Sequence, residues 1–297
     1  MNILELFKSF QTEEQAIEHL ENVRWHGKPV CPYCYSAKVC RHASGDRKKQ
    51  RWQCQDCTRA FSVTVETIFH GTHIPLKNWF LVLALMLNAK KSASAYQIAR
   101  DLGMRRPTVW SMMHRAREAM ANDQAQGKLL HGIVEADETY VGGVPRKRNK
   151  RDDDKPNKTG RGTKKTPVVG VVERGGRVVA QAAVNGKVHA KGLAKFISKF
   201  VDLEASVLMT DEFTGYRLIG RKMKHSVINH SVSYADGTTH TNTIEGFWSL
   251  VKRAWYGSHH HYSRKYLPLY IAEACYKHNK RNARDDFGDM LATMVGA

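Results

Sequence analysis

The sequence predicts an α/β domain with a mixed sheet, preceded by two small modules, a zinc ribbon and a helix-turn-helix. Three observations predict it. Four cysteines stand in two C-x-x-C pairs near the start of the chain. A helical pattern interrupted at Gly103 follows them. Beyond Gly132 the pattern changes to short β-rich runs bounded by glycine, then a helix, another strand and further helices.

Taken in order, residues 1–27 read as an N-terminal helical segment, with Ile3, Leu6, Phe7 and Phe10, then Ala16, Ile17 and Leu20, recurring at helical spacing. Residues 28–65 form the ribbon. "CPYC" supplies Cys31 and Cys34, "WQCQDC" supplies Cys54 and Cys57, and 19 residues separate the pairs. Four thiolates so spaced suit the tetrahedral preference of one structural Zn²⁺. A redox C-x-x-C is the alternative, but one redox pair does not need a second. Cys40 and Cys275 have no such partners and read as packing residues.

Residues 74–125 read as three helices, the first apolar from about Pro75 and the second from about Ser94 to Leu102. Gly103 makes a turn, and Pro107 sits where a first-turn proline is tolerated. The last two helices make the helix-turn-helix pattern, whose second helix presents Arg105, Arg106, Thr108, Ser111 and Arg115 to DNA. An ordinary helical hairpin with a solvated basic face is the alternative.

Residues 129–297 form the α/β domain. "IVEADETYVGG", "TPVVGVVERGG" and "RVVAQAAVNG" are strands, the last two joined by a Gly-Gly turn. "HAKGLAKFISKFV" is a helix leading into the strand "SVLMTDEFTGY", and helices resume near Thr241 and Tyr266. Between the first two strands lies a basic loop, 145–165, with ten Lys or Arg residues, which either orders on nucleic acid or is simply solvated.

Charge narrows the partner. Among 297 residues, 47 Lys and Arg outnumber 28 acids, a net +19, and such an excess favours a polyanion because neutralising phosphates releases counterions. No amphipathic membrane anchor is evident. The longest apolar run, Trp79 to Leu87, is far short of the ~20 residues that span a bilayer. The N-terminal stretch lacks a signal-peptide apolar core, so a cytoplasmic, nucleoid-associated protein is expected.

Three acids, Asp137, Asp211 and Glu245, stand in or beside the predicted elements, with 73 and 33 residues between them. Strand alternation lets only one of Asp137 and Glu138 face a given site. Ile133 shares parity with the first and Val134 with the second, so the pattern does not choose. Lys252 lies seven residues after Glu245, about 700° around a helix and so on the same face, as is Ser249. Carboxylates converging from strands and a helix suit two Mg²⁺ or Mn²⁺ ions, whose preference is for oxygen ligands. Each acid also has an ordinary reading: Asn242 with Glu245 fits a capping box, and Asp211 can merely end a strand.

"ADETYVGG", "LMTDEFTGY", "HTNTIEGFWSLVKR" and "HHHYSRKYLPLYIAEACYKHNKR" closely resemble the catalytic blocks of zinc-ribbon-containing, ISXO2-like DDE transposases of bacterial insertion sequences. The ribbon and "RAFSVTVETIFHGTHIPLKNWF" resemble that family too, so the likeness runs from about Val23 to Arg281. The resemblance implies an RNase H-like catalytic fold. It selects Asp137, Asp211 and Glu245 as the catalytic, metal-binding triad, with Lys252 as the accompanying basic residue. Some relatives use asparagine as the third member, which brings in Asn242. Asn242 and Arg253 are further expected DNA contacts. "SHHHY", from Ser258 to Tyr262, is read as a basic segment near DNA rather than a metal site.

The expected activity is binding of terminal inverted repeats, metal-dependent strand cleavage and joining of the freed 3′ ends to target DNA. Because two ends must meet, a homodimer or larger assembly is expected. A domesticated, catalytically silent DNA-binding regulator is the alternative. A recombinase with a serine or tyrosine nucleophile is a third option that no motif favours.

Overall fold

The computed structural model describes residues 3–42, 50–142, 165–183, 188–228, 240–261 and 263–296. Most of the basic loop, 145–164, lies outside them. Ten α-helices and eight strands are distinguished among the described residues, grouped into two compact units, 1–123 with 280–297 and 124–279.

The first unit starts with α1 (Ile3–Ser9) and α2 (Glu13–Trp25). Thr12 and Gln15 form a reciprocal capping box at the start of α2. Three short strands follow, β1 (Val39–Arg41), β2 (Trp52–Cys54) and β3 (Ala60–Phe61), paired antiparallel in that order. Then come α3 (Leu76–Asn88), α4 (Ala95–Asp101) and α5 (Arg106–Gln126). Ser94 caps α4 by accepting from the Gln97 N–H, and Gly103, at φ +62°, turns the chain towards α5.

The second unit is built on β4 (Leu130–Val141), β5 (Thr166–Glu173), β6 (Val178–Ala182), β7 (Val201–Thr210) and β8 (Lys224–Val227). Its helices are α6 (Ala190–Phe200), α7 (Arg217–Gly220), α8 (Asn242–Arg253) and α9 (Leu267–Asn279). The sheet order is β6-β5-β4-β7-β8, with β5 antiparallel to both neighbours and β7 parallel to β4 and β8. The sheet is therefore mixed, as the sequence predicts. The β5–β6 hairpin turns through Gly175 and Gly176, as expected.

Both faces of the sheet are covered, so β5 reads as an almost unbroken apolar run. Val169 and Val171 pack with Leu193, Ile197 and Phe200 of α6. Val168 and Val172 pack on the opposite face with Ile244, Trp248 and Val251 of α8 and Ile271 of α9. The buried residues of α8 recur at the three-and-four spacing of one helix face. At the β6 edge, the Asn279 side chain bonds both the N–H and the carbonyl of Val178, which covers strand groups otherwise left open.

The last helix, α10 (Asp286–Val295), belongs to the first unit, where Phe287 packs on Phe80 of α3. A catalytic domain running to residue 297, as the sequence suggests, therefore overshoots: the second unit ends at Asn279 and the chain then returns. Helix periodicity alone carries no information about which core a terminal helix joins.

Candidate active site and metal centres

The ribbon brings its cysteines together. The Sγ atoms of Cys31, Cys34, Cys54 and Cys57 all lie within 4.8 Å of one another, with 3.6 Å for Cys31–Cys57 and 3.5 Å for Cys34–Cys54. A tetrahedral site with Zn–S bonds of ~2.3 Å has ligand edges of ~3.8 Å, so the cage has the size zinc requires. The N–H of Cys57 points at Cys54 Sγ and helps pull that thiol down to about 7. Helix α2 grips the ribbon from the side. Glu21 accepts both guanidinium branches of Arg41, at 2.9 and 2.7 Å, and the Trp52 indole N–H at 2.7 Å.

In the second unit Asp137 and Glu138 point to opposite faces of the sheet. Residues 134 and 136 of β4 point towards α6, and Glu138 follows them, accepting the buried Tyr216 hydroxyl at 3.0 Å. Asp137 points the other way, towards α8, where its Oδ2 accepts the Trp248 indole N–H at 3.1 Å. Strand β7 pairs with β4 in parallel register up to Glu135–Met209, and two further residues along each strand place Asp211 alongside Asp137. Asp211 folds its Oδ1 back onto the Phe213 N–H. Glu245 sits in the first turn of α8, exposed, with Oε1 held by the Thr241 hydroxyl at 2.8 Å.

Asp137 feels the acids around it. Burial, the Glu138 charge, and the charges of Asp211 and Glu245 push the Asp137 carboxyl up to about 7. A partly buried group of carboxylates of this kind is what a hard divalent cation relieves. Among the described residues only the cysteine group is tight enough to bring all its ligand atoms within 4.8 Å.

Lys252 lies exposed two turns beyond Glu245 and lines a cleft of about 660 Å³ with Lys165, Tyr140, Trp255 and Tyr256. The π-helical turn Ala254–His259 follows α8, and His259 packs its ring on Tyr270. Among the described residues no histidine joins a metal-ligating group. Tyr262 lies outside them.

Two expectations about α8 and α5 meet a different geometry. The N-cap of α8 is Thr241, not Asn242, and Asn242 is the exposed first residue of the helix. Glu245 bonds the Thr241 side chain rather than completing a box with Asn242. Arg105, just before α5, and Arg106 and Ser111 on it are exposed, and Thr108 is half-buried. Arg115 is instead engaged within its own unit: it donates to the His70 carbonyl at 2.7 Å and lies 5.5 Å from the Trp79 ring centroid. Arg253 is exposed at the end of α8.

Sequence reasoning missed the residues that seat α8. Gly170, opposite Asp137 on β5, is one. A Cβ there would stand 2.7 Å from two ring carbons of Trp248. Gly170→Ala is therefore expected to displace the indole that holds Asp137, destabilising the protein by about 1–3 kcal/mol in urea titrations. Any activity that relies on the Asp137 carboxylate should fall about tenfold or more. A variant as stable and active as wild type would show that α8 tolerates the shift.

The family follows from two domain models. The ISXO2-like transposase domain matches residues 129–279, slightly over half of the chain, and the transposase zinc-ribbon domain matches residues 11–60. The chain belongs to the ISXO2-like transposase family. The ribbon model begins earlier than residue 28 and takes in α2, which carries Glu21. A relative in Halobacterium salinarum, an uncharacterized protein in transposable element ISH50, is 28% identical over 276 residues, 89% of this chain and 90% of that one. Among solved structures, the Mos1 transposase paired-end complex with left transposon end aligns over 72% of this chain and 74% of its own, at 13% identity and TM-score 0.30. The Mos1 strand transfer complex aligns over the same shares, at 12% identity and TM-score 0.30. No helix among the described residues is long and apolar enough to cross a membrane.

Proposed function

We propose that the chain is the transposase of an insertion sequence, binding the element's terminal inverted repeats, cutting there and joining the 3′ ends to target DNA. The observation that supports this reading is that Asp211 and Glu245 bear on the Asp137 carboxyl, beside β4 and α8, in a domain that a transposase family model matches. The triad would hold two Mg²⁺ or Mn²⁺ ions, and the cysteine cage one Zn²⁺. When bound, the paired ions activate the attacking oxygen and stabilise the leaving one.

The chain's own residues do the rest. Trp248 fixes the Asp137 carboxylate, and Thr241 fixes that of Glu245. Lys252 and Lys165 give the adjoining cleft a positive wall for the DNA backbone, and Tyr140 and Tyr256 add aromatic faces for bases. Arg105, Arg106, Thr108 and Ser111, at the start of α5, would meet a DNA end, and Asn242 and Arg253 on α8 would be further contacts. Arg115 would serve less directly, by packing this unit. A homodimer or larger assembly would bring two ends together.

The test uses a duplex carrying the element end, with Mg²⁺ and with wild type, Asp211→Asn and Glu245→Gln proteins. Cleavage by wild type alone is expected, with each variant down about 10³-fold because a metal ligand contributes several kcal/mol. All three should bind the duplex alike. Binding without cleavage by wild type would favour the silent regulator. Loss with Asp211→Asn but not Glu245→Gln would move the third ligand to Asn242.

A further inference from the structure

A carboxylate that belongs to neither metal site sits at the joint between the catalytic strand and the catalytic helix. Glu135 is fully buried on β4, two residues before Asp137 and on the same face. Its Oε2 accepts the backbone N–H groups of Thr243, at 2.8 Å, and Ile244, at 3.0 Å. Its Oε1 accepts the Thr243 hydroxyl at 2.9 Å and Arg174 Nε at 2.6 Å. Arg174, from the β5–β6 turn, also donates to the His240 carbonyl at 3.0 Å, just before α8 begins.

A helix start leaves four N–H groups without intrahelical partners, and the local N-cap of α8 supplies no side-chain acceptor. A strand therefore caps the helix from 108 residues away. A buried carboxylate is costly unless paired and hydrogen-bonded. Here it is both, and its negative charge also suits the positive end of the helix. Glu245 is one residue beyond the capped pair, and Asp137 is two residues along the strand that holds the cap. One side chain thus joins the mounts of the first and third acids.

We infer that Glu135 is a positioning residue, which sets Glu245 against Asp137 for metal binding through the buried Glu135–Arg174 cap. This rests on the proposed divalent-metal role of the triad. Glutamine at position 135 keeps the size but offers one acceptor oxygen, and turns an amide N–H₂ towards donors.

The test compares zinc-loaded wild type and Glu135→Gln by hydrogen exchange, and by the loss of the free Mn²⁺ paramagnetic signal on titration without DNA. In the variant, the Thr243 and Ile244 amides should exchange about tenfold faster or more. Mn²⁺ affinity should fall about tenfold, the range found when groups orienting metal ligands are lost. Cleavage should then need correspondingly more Mn²⁺ and recover when it saturates. Unchanged Mn²⁺ affinity overturns the proposal even if amide protection falls, because Glu135 would then be a stability cap only. Should Glu135→Gln fail to fold, Thr243→Val removes one donor to the carboxylate and leaves the charges paired. A severalfold shift in the same two readings supports the proposal, and none overturns it. If wild type binds Mn²⁺ but never cleaves, the transposase reading fails while these readings still decide Glu135.

Discussion

Asp137→Asn is expected to make the protein more stable when no divalent cation is added, and to remove at least about a thousandfold of its strand cleavage. The two effects have one cause. The Asp137 carboxyl titrates near its ordinary value in the unfolded chain but is pushed up to about 7 in the folded one, first by burial and then by its acidic neighbours. Between these values the native state binds the extra proton, so stability falls as pH rises from about 4 through 7. At pH 8 the full penalty is present. About three pKa units at 1.36 kcal/mol each set an upper bound of roughly 4 kcal/mol.

Asparagine removes that charge and keeps an oxygen for the Trp248 N–H. Its gain should therefore be largest at pH 8 and nearly absent at pH 4, appearing as a rise in Tm of about 2–4 °C per kcal/mol. Added Mn²⁺ should raise the Tm of wild type at pH 8 and leave the variant unmoved. The comparison is made without chelator, which would also strip the zinc. A variant that melts below wild type at pH 8, or that still cleaves, would show that Asp137 is a structural acid rather than a metal ligand.

The parts of this site that could be read from sequence share a property: their signal is local. Cys31, Cys34, Cys54 and Cys57 announce the cage because two tight C-x-x-C knuckles put all the ligands in plain spacing. The β-rich runs announce the sheet for the same reason. The choice between Asp137 and Glu138 was not legible, because helices cover both sheet faces and the polar-apolar alternation that marks a half-buried strand is lost. Resemblance made the choice, and in the fold the two acids face opposite ways, Asp137 to Trp248 and Glu138 to Tyr216.

Glu135 was silent in the sequence because its partners lie on another element far along the chain. The same gap produced the capping box assigned to Asn242: local rules expect a helix to cap itself. Arg115 fits the basic face of α5 by period, yet the His70 carbonyl and the Trp79 ring engage it. Basic residues 145–164 lie outside the described residues.

Withdrawing zinc is expected to unfold the ribbon while the catalytic domain stays folded. The ribbon's strands are two or three residues long, and its fully buried core is Cys31, Cys54 and Phe61, two of them cage cysteines, with Trp25, Val39, Trp52, Cys57 and Val65 only partly buried against it. Burying one large aromatic side chain is worth about 3 kcal/mol at most, whereas ordering each residue costs about 1 kcal/mol of backbone entropy. Such a segment cannot fold on its apolar contacts. A structural zinc site supplies on the order of 10–16 kcal/mol, enough to reverse the balance.

Cys54→Ser, or a chelator that removes the zinc, should accordingly free Trp25 and Trp52, whose rings pack edge to face at 6.0 Å, and red-shift their emission. Glu21 would lose Arg41 and Trp52 together, leaving a nearly buried carboxylate on α2 without those partners. The damage should therefore extend into α2, while hydrogen exchange in β4, β5 and β7 stays as in the zinc-loaded protein. Full release of zinc with unchanged tryptophan emission and unchanged exchange at β1–β3 would mean that the ribbon holds itself. In that case the four thiols would serve some purpose other than folding.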